Sequence, residues 1–97
     1  MIGPGTRVRL ARKVRLRRDP RSGKMMLLYP ERGLELSDSA AEIAALCTGD
    51  RTVGAIVDAL GALHVGVARA RLEQDVRAFL GALEARGLLA AAAEAAP

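Results

Sequence analysis

Between Arg7 and Arg18, apolar and basic positions alternate. Val8, Leu10, Val14 and Leu16 fall on one face, and Arg7, Arg9, Lys13, Arg15 and Arg17 on the other, with Arg12 interrupting the apolar side. A period of two over that length predicts a half-buried β-strand with a strongly basic outer surface. The segment DPRSG, Asp19 to Gly23, carries turn chemistry, because Pro20 presets φ and Gly23 tolerates positive φ. KMMLLYP then predicts the return strand of a hairpin, PERG a second turn, and Leu34 to Leu36 a brief third strand with Glu35 facing outward. The first third of the chain therefore reads as an antiparallel meander with strands near 7–18, 24–30 and 33–36.

After Leu36 the period becomes helical. Ser37 or Ser39 can cap a first helix over 38–47, Ser39 and Glu42 have capping-box spacing, and TGD ends it. Thr52 caps a second helix to residue 63, with Val53, Ile56, Val57, Leu60 and Leu63 as its apolar stripe. Gly54 and Gly61 each weaken that helix by up to about 1 kcal/mol relative to Ala, so packing must hold it. A third helix over 68–86 presents Leu72, Val76, Phe79, Leu80 and Leu83, and Gly87 sits where a left-handed C-terminal cap belongs. The fold class is α+β, winged helix-turn-helix-like: a three-stranded antiparallel meander followed by three helices. The expected division is a flexible N-terminus at 1–6, one domain at 7–89, and an Ala-rich tail at 90–97 in which nothing is expected to pack.

Composition narrows the class. Hydrophobic residues make up 51% of 97, yet there is one Tyr, one Phe and no Trp, so the core must be aliphatic. Cys47 is the single cysteine, which excludes an intrachain disulfide and suits a reducing compartment. The N-terminus lacks the apolar run of a signal peptide, and no stretch is long and apolar enough for a membrane span. A soluble, cytoplasmic protein is expected. Charge is uneven: residues 1–30 hold nine Lys or Arg against Asp19 alone, a net of +8, whereas 31–97 hold a net of −4. This suggests either an anionic partner or a strand face kept soluble and protected by charge.

Catalytic constellations are nearly absent. His64 is the only histidine and Cys47 has no second thiol, so no multi-His or multi-Cys metal site is encoded, and no cofactor is expected. Cys47 lies on an apolar stripe, as a small buried hydrophobe would. Ser37, Asp38 and Ser39 suit capping, and the ten glycines form no phosphate-binding motif. Glu73 and Asp75 point to different helix faces. An enzyme is not expected. Two binding readings follow. A winged helix-turn-helix invites nucleic acid, but the third helix mixes Arg69, Arg71, Arg77 and Arg86 with Glu73, Asp75 and Glu84, and stacking aromatics are scarce. Alternatively, the short third strand offers an edge to which an extended peptide could pair. Residues alone leave open whether that edge is a binding site or merely a short, protected one.

The stretch from Leu10 to Leu60 resembles the PqqD family of pyrroloquinoline quinone biosynthesis. The resemblance is carried by Arg15–Leu16–Arg17 with Asp19, by Leu27–Leu28–Tyr29–Pro30–Glu31, and by Leu36 with Ser39–Ala40–Ala41–Glu42–Ile43. It continues through Leu46–Cys47, Gly49, Arg51–Thr52–Val53 and Ile56–Val57 to Asp75–Val76 and Phe79–Leu80. It spans about residues 9–89. Ser37 stands where the family usually has Asn and Thr48 where it often has Asp; both sit at helix boundaries. The resemblance implies a peptide chaperone, a recognition element for a ribosomally made, modified peptide. Such a protein would bind the precursor PqqA as an added strand along the third strand beside the third helix, and present it to the radical SAM enzyme PqqE. The mixed charge of the third helix and the lack of an apolar span lead to the expectation of no nucleic-acid and no membrane partner. On geometry, the expected peptide-binding residues are Gly33, Leu34, Glu35 and Leu36 for backbone pairing, with Arg69, Arg71, Leu72 and Asp75 from the helix. Leu72 would be the apolar floor between Arg71 and Asp75. The basic outer face from Arg9 to Arg17 could dock the enzyme. A monomer is expected, with a strand-swapped dimer as the alternative assembly.

Overall fold

The computed structural model describes residues 2–30 and 32–91. Its elements run β1 (Arg7–Leu10), β2 (Arg15–Arg18), β3 (Met25–Tyr29), β4 (Arg32–Glu35), α1 (Asp38–Ala45), β5 (Thr48–Thr52), α2 (Val53–Leu63), α3 (Arg69–Ala85) and β6 (Leu89–Ala91). The α+β class holds, with an antiparallel meander β2–β3–β4 and three helices, and a second antiparallel sheet of order β5–β1–β6.

The expected single strand over 7–18 is corrected to two strands in two sheets. The Ala11 N–H donates to the Leu88 carbonyl at 2.8 Å and the Val14 N–H to the Ala11 carbonyl at 2.9 Å, which closes a tight turn. Arg12 and Lys13 are exposed at its tip. Parity survives the turn, so all four apolar residues still face inward, but into different cores. Val8 belongs to one core with Ile43, Val53, Ile56, Leu60, Val76 and Leu80. Val14 belongs to the other with Leu27, Leu36, Ala44, Leu83 and Leu88. Leu10, Phe79 and Leu89 pack against both and join them.

The helices end for local reasons. The Ser37 hydroxyl accepts the Ala40 N–H at 3.2 Å, so Ser37 rather than Ser39 caps α1. Thr52 Oγ1 accepts from Ala55 at 3.0 Å at the start of α2. The N-terminal segment, expected to be flexible, adds two contacts there: the Thr6 carbonyl accepts from Val53 and the Pro4 carbonyl from Gly54, both at 2.9 Å. At the end of α3, Gly87 has φ 72°. The Leu88 N–H donates to Leu83 at 2.9 Å and the Gly87 N–H to Glu84 at 3.0 Å, the paired bonds of a Schellman cap. That cap turns Leu88 into the core and starts β6, which carries Ala90 and Ala91 of the expected tail into pairing with β1; residues 92–97 lie outside the described residues. The TGD segment, expected only to end the first helix, also opens β5. Leu63, expected on the α2 stripe, is 65% exposed, because ten residues past Val53 the helix has rotated off the core.

Candidate functional site: the open edge of the meander

β4 is an edge strand, and register decides which of its backbone groups are free. The Leu36 N–H donates to the Met25 carbonyl at 2.9 Å. Counting along the register, Leu34 with Leu27 and Arg32 with Tyr29 are likewise bonded pairs, whereas Gly33 with Leu28 and Glu35 with Met26 are non-bonded ones. The N–H and C=O groups of Gly33 and Glu35 therefore point away from β3, toward the open side. Side chains alternate about the same strand: Leu34 turns to the core side, and Glu35 is exposed with its carboxylate 3.5 Å from Lys24 Nζ. The other edge of this sheet is β2, where the same parity frees Leu16 and Arg18.

The expected site residues fall into two groups. Of the four residues expected to pair backbone with a peptide, only Gly33 and Glu35 turn N–H and C=O groups to the open edge. Leu34 pairs with Leu27, the Leu36 N–H bonds Met25, and both side chains meet the second core, to which α3 contributes Leu83 and Phe79 from its C-terminal half. Arg69, Arg71, Leu72 and Asp75 occupy the N-terminal half of α3. Leu72 is 8% exposed and sits in the first core with Leu60, Val57 and Ile56 of α2. Arg69 binds Asp58 of α2 and, at 3.3 Å, Glu73; its hydrogen bond to Asp58 raises the guanidinium pKa. Arg71 and Asp75 pair at 3.4 Å on an exposed flank. Phe79 continues that flank one turn further; the sequence places it in the apolar stripe and in the family resemblance, but not among the expected binding residues. Its i+4 spacing from Asp75 was the available signal.

The α3 arginines nearest its start are thus matched by carboxylates, unlike a basic recognition helix. Burial pushes the Cys47 thiol pKa up from 9.0 to about 12, and its S–H lies 3.3 Å from the Ile43 carbonyl, so it behaves as a core hydrophobe. His64 Nε2 meets Glu42 Oε1 at 2.8 Å, tying the end of α2 to α1. Among the described residues no group of three His, Cys, Asp or Glu could hold a metal. Nor is any helix among them long and apolar enough to cross a membrane.

Fold and edge together define the class. The solution NMR structure of the PqqD truncation of Methylobacterium extorquens PqqCD, described as a stand-alone recognition element for ribosomally synthesised and post-translationally modified peptides, matches with a TM-score of 0.77. The two are 33% identical, over 93% of this chain and 95% of that one. TbiB1, solved in complex with the TbiA(β) leader peptide, matches at a TM-score of 0.71 with 26% identity, over 84% of this chain and 93% of that one. The fold is that of these recognition elements. Residues 24–89 match the family described as Coenzyme PQQ synthesis protein D, PqqD. A "PqqA binding protein" of Rhodopseudomonas palustris strain BisB5 is 38% identical over 96 residues, 99% of this chain and 93% of that protein. The chain belongs to the PqqD family.

Proposed function

We propose that this protein binds the precursor peptide PqqA as a fourth strand on β4 and presents it to the radical SAM enzyme PqqE in pyrroloquinoline quinone biosynthesis. The observation that carries the reading is the parity of β4, which leaves Gly33 and Glu35 with backbone donors and acceptors on an open edge. Relatives named for PqqA binding, and a fold-mate bound to a leader peptide, support a peptide as the occupant. Backbone pairing would supply affinity, and alternate peptide side chains would enter the space beside Leu34 and Phe79. Arg71 and Asp75, paired on the exposed flank of α3, would border an extension of that space and orient a charged peptide more than hold it. Arg69 and Leu72 would act through the α2–α3 packing that supports this flank. The role is that of a binding module working in the cytoplasm, without cofactor.

An amide chemical-shift titration with PqqA, run beside a DNA duplex, tests this reading. The expected result is shifts centred on Gly33–Leu36 with modest salt dependence, and DNA binding, if seen, that falls steeply with salt. Sequence-selective duplex binding at physiological salt without peptide binding would overturn it.

A further inference from the structure

The outer face of the meander carries two cross-strand rows. Register sets Arg15 beside Leu28 and Leu28 beside Gly33, then Arg17 beside Met26 and Met26 beside Glu35. Leu28 is 41% exposed, whereas its neighbour Leu27 is fully buried. Met26 and Leu28 line, with Arg17 and Arg21, an open cleft of about 310 Å³ against the hairpin turn. A Cβ on Gly33 would meet Met26 Cε at 3.0 Å and Leu28 Cδ2 at 3.3 Å. The bare glycine therefore lets both apolar side chains lean toward the open edge.

Among the described residues, Arg15, Arg17 and Arg21 beside this apolar centre make no ion pair. Arg15 and Arg17 donate to the carbonyls of Arg12, Val14 and Leu16. The basic members of the ion pairs among the described residues are Lys24, His64, Arg69 and Arg71. The turn's one acid, Asp19, accepts the Arg21 N–H at 2.9 Å and the Ser22 hydroxyl at 3.2 Å, which fixes the turn. An apolar centre flanked by guanidinium groups on its β2 and turn side complements an acidic protein surface with a protruding apolar side chain. Nucleic acid suits it less well, because it would set phosphates against Met26 and Leu28 with no aromatic on this face to stack.

We propose that this outer face docks an acidic patch on the enzyme that modifies the bound peptide, an inference resting on the strand-addition reading above. A strand added to β4 would prolong both rows, so its outward side chains would stand beside Gly33 and Glu35 on the same face. The enzyme would then contact sheet and peptide together, and bind the loaded protein more tightly than the empty one.

Calorimetry on Arg17→Glu/Arg21→Glu and on Leu28→Ser tests this, with PqqE as probe for the loaded protein and PqqA alone as probe for the empty one. Enzyme affinity should fall by about tenfold or more in both variants, with peptide affinity within about twofold of wild type and melting unchanged for the exposed charge reversals. Enzyme affinity equal to wild type in both would overturn the proposal. A parallel loss of peptide affinity would overturn it too, assigning the face to the peptide. A wild-type protein that binds no peptide would instead sink the strand-addition reading, a separate result. A mixed-sequence DNA duplex that displaces the enzyme from wild type, and binds neither variant, would give the face to nucleic acid.

Discussion

Glu35 is where strand parity has its sharpest consequence. Its N–H points to the open side, so Glu35→Pro removes no bond to β3 and fixes φ at an edge position, where proline is tolerated. The variant should melt within a few degrees of wild type by circular dichroism, while peptide binding loses one hydrogen bond of about 0.5–1.5 kcal/mol and gains a steric conflict. Unchanged affinity would place the peptide elsewhere. Cys47 makes a different prediction. Its folded pKa is raised by burial from 9.0 to about 12, so an unfolded chain ionises the thiol first. Stability present below pH 9 should be lost as pH rises toward 12, and Cys47→Ala should flatten that slope of melting temperature against pH. A thiol reagent at neutral pH should label the protein only on unfolding.

At the level of elements, the helices were legible because their signals are local. Ser37, Thr52 and Gly87 act close to where they stand; Thr52 and Gly87 cap where the sequence puts them, and Ser37 is one of the two serines it offers for α1. The second sheet was not legible, because each of its strands depends on a partner far along the chain. β5 is polar, with Gly49 at φ 90°, and β6 is Leu-Ala-Ala, so neither shows strand propensity of its own. The turn at Arg12–Lys13 was hidden because it preserves parity, and Arg12 on the apolar side was its only trace. For the candidate site, an open edge after the meander follows from the strand pattern, whereas which β4 groups are free depends on register, and sequence spacing does not show that Leu83 and Phe79, rather than the first turns of α3, pack beside Leu34. Gly87→Ala tests the device that links α3 to β6. A Cβ at φ 72° should cost about 1–2 kcal/mol and lower the melting point by several degrees without altering peptide affinity.

Across the described residues, two cores joined by Leu10, Phe79 and Leu89 hold a sheet whose outer side is basic and whose last strand has one open edge. Leu83 and Leu80, both on α3, face different cores, so Leu83→Ala should weaken the meander's support as well as the fold, at about 2–5 kcal/mol, read as a lowered denaturant midpoint. In the proposed complex a peptide completes the meander at β4. Residue-resolved amide hydrogen exchange, with and without PqqA, tests it most directly. The amides of Gly33 and Glu35 should exchange quickly in the free protein and become protected with peptide, while those of Arg32 and Leu34, already bonded to β3, change little. Protection arising instead at Leu16 and Arg18 on the β2 edge, with Gly33 and Glu35 unaltered, would contradict the account.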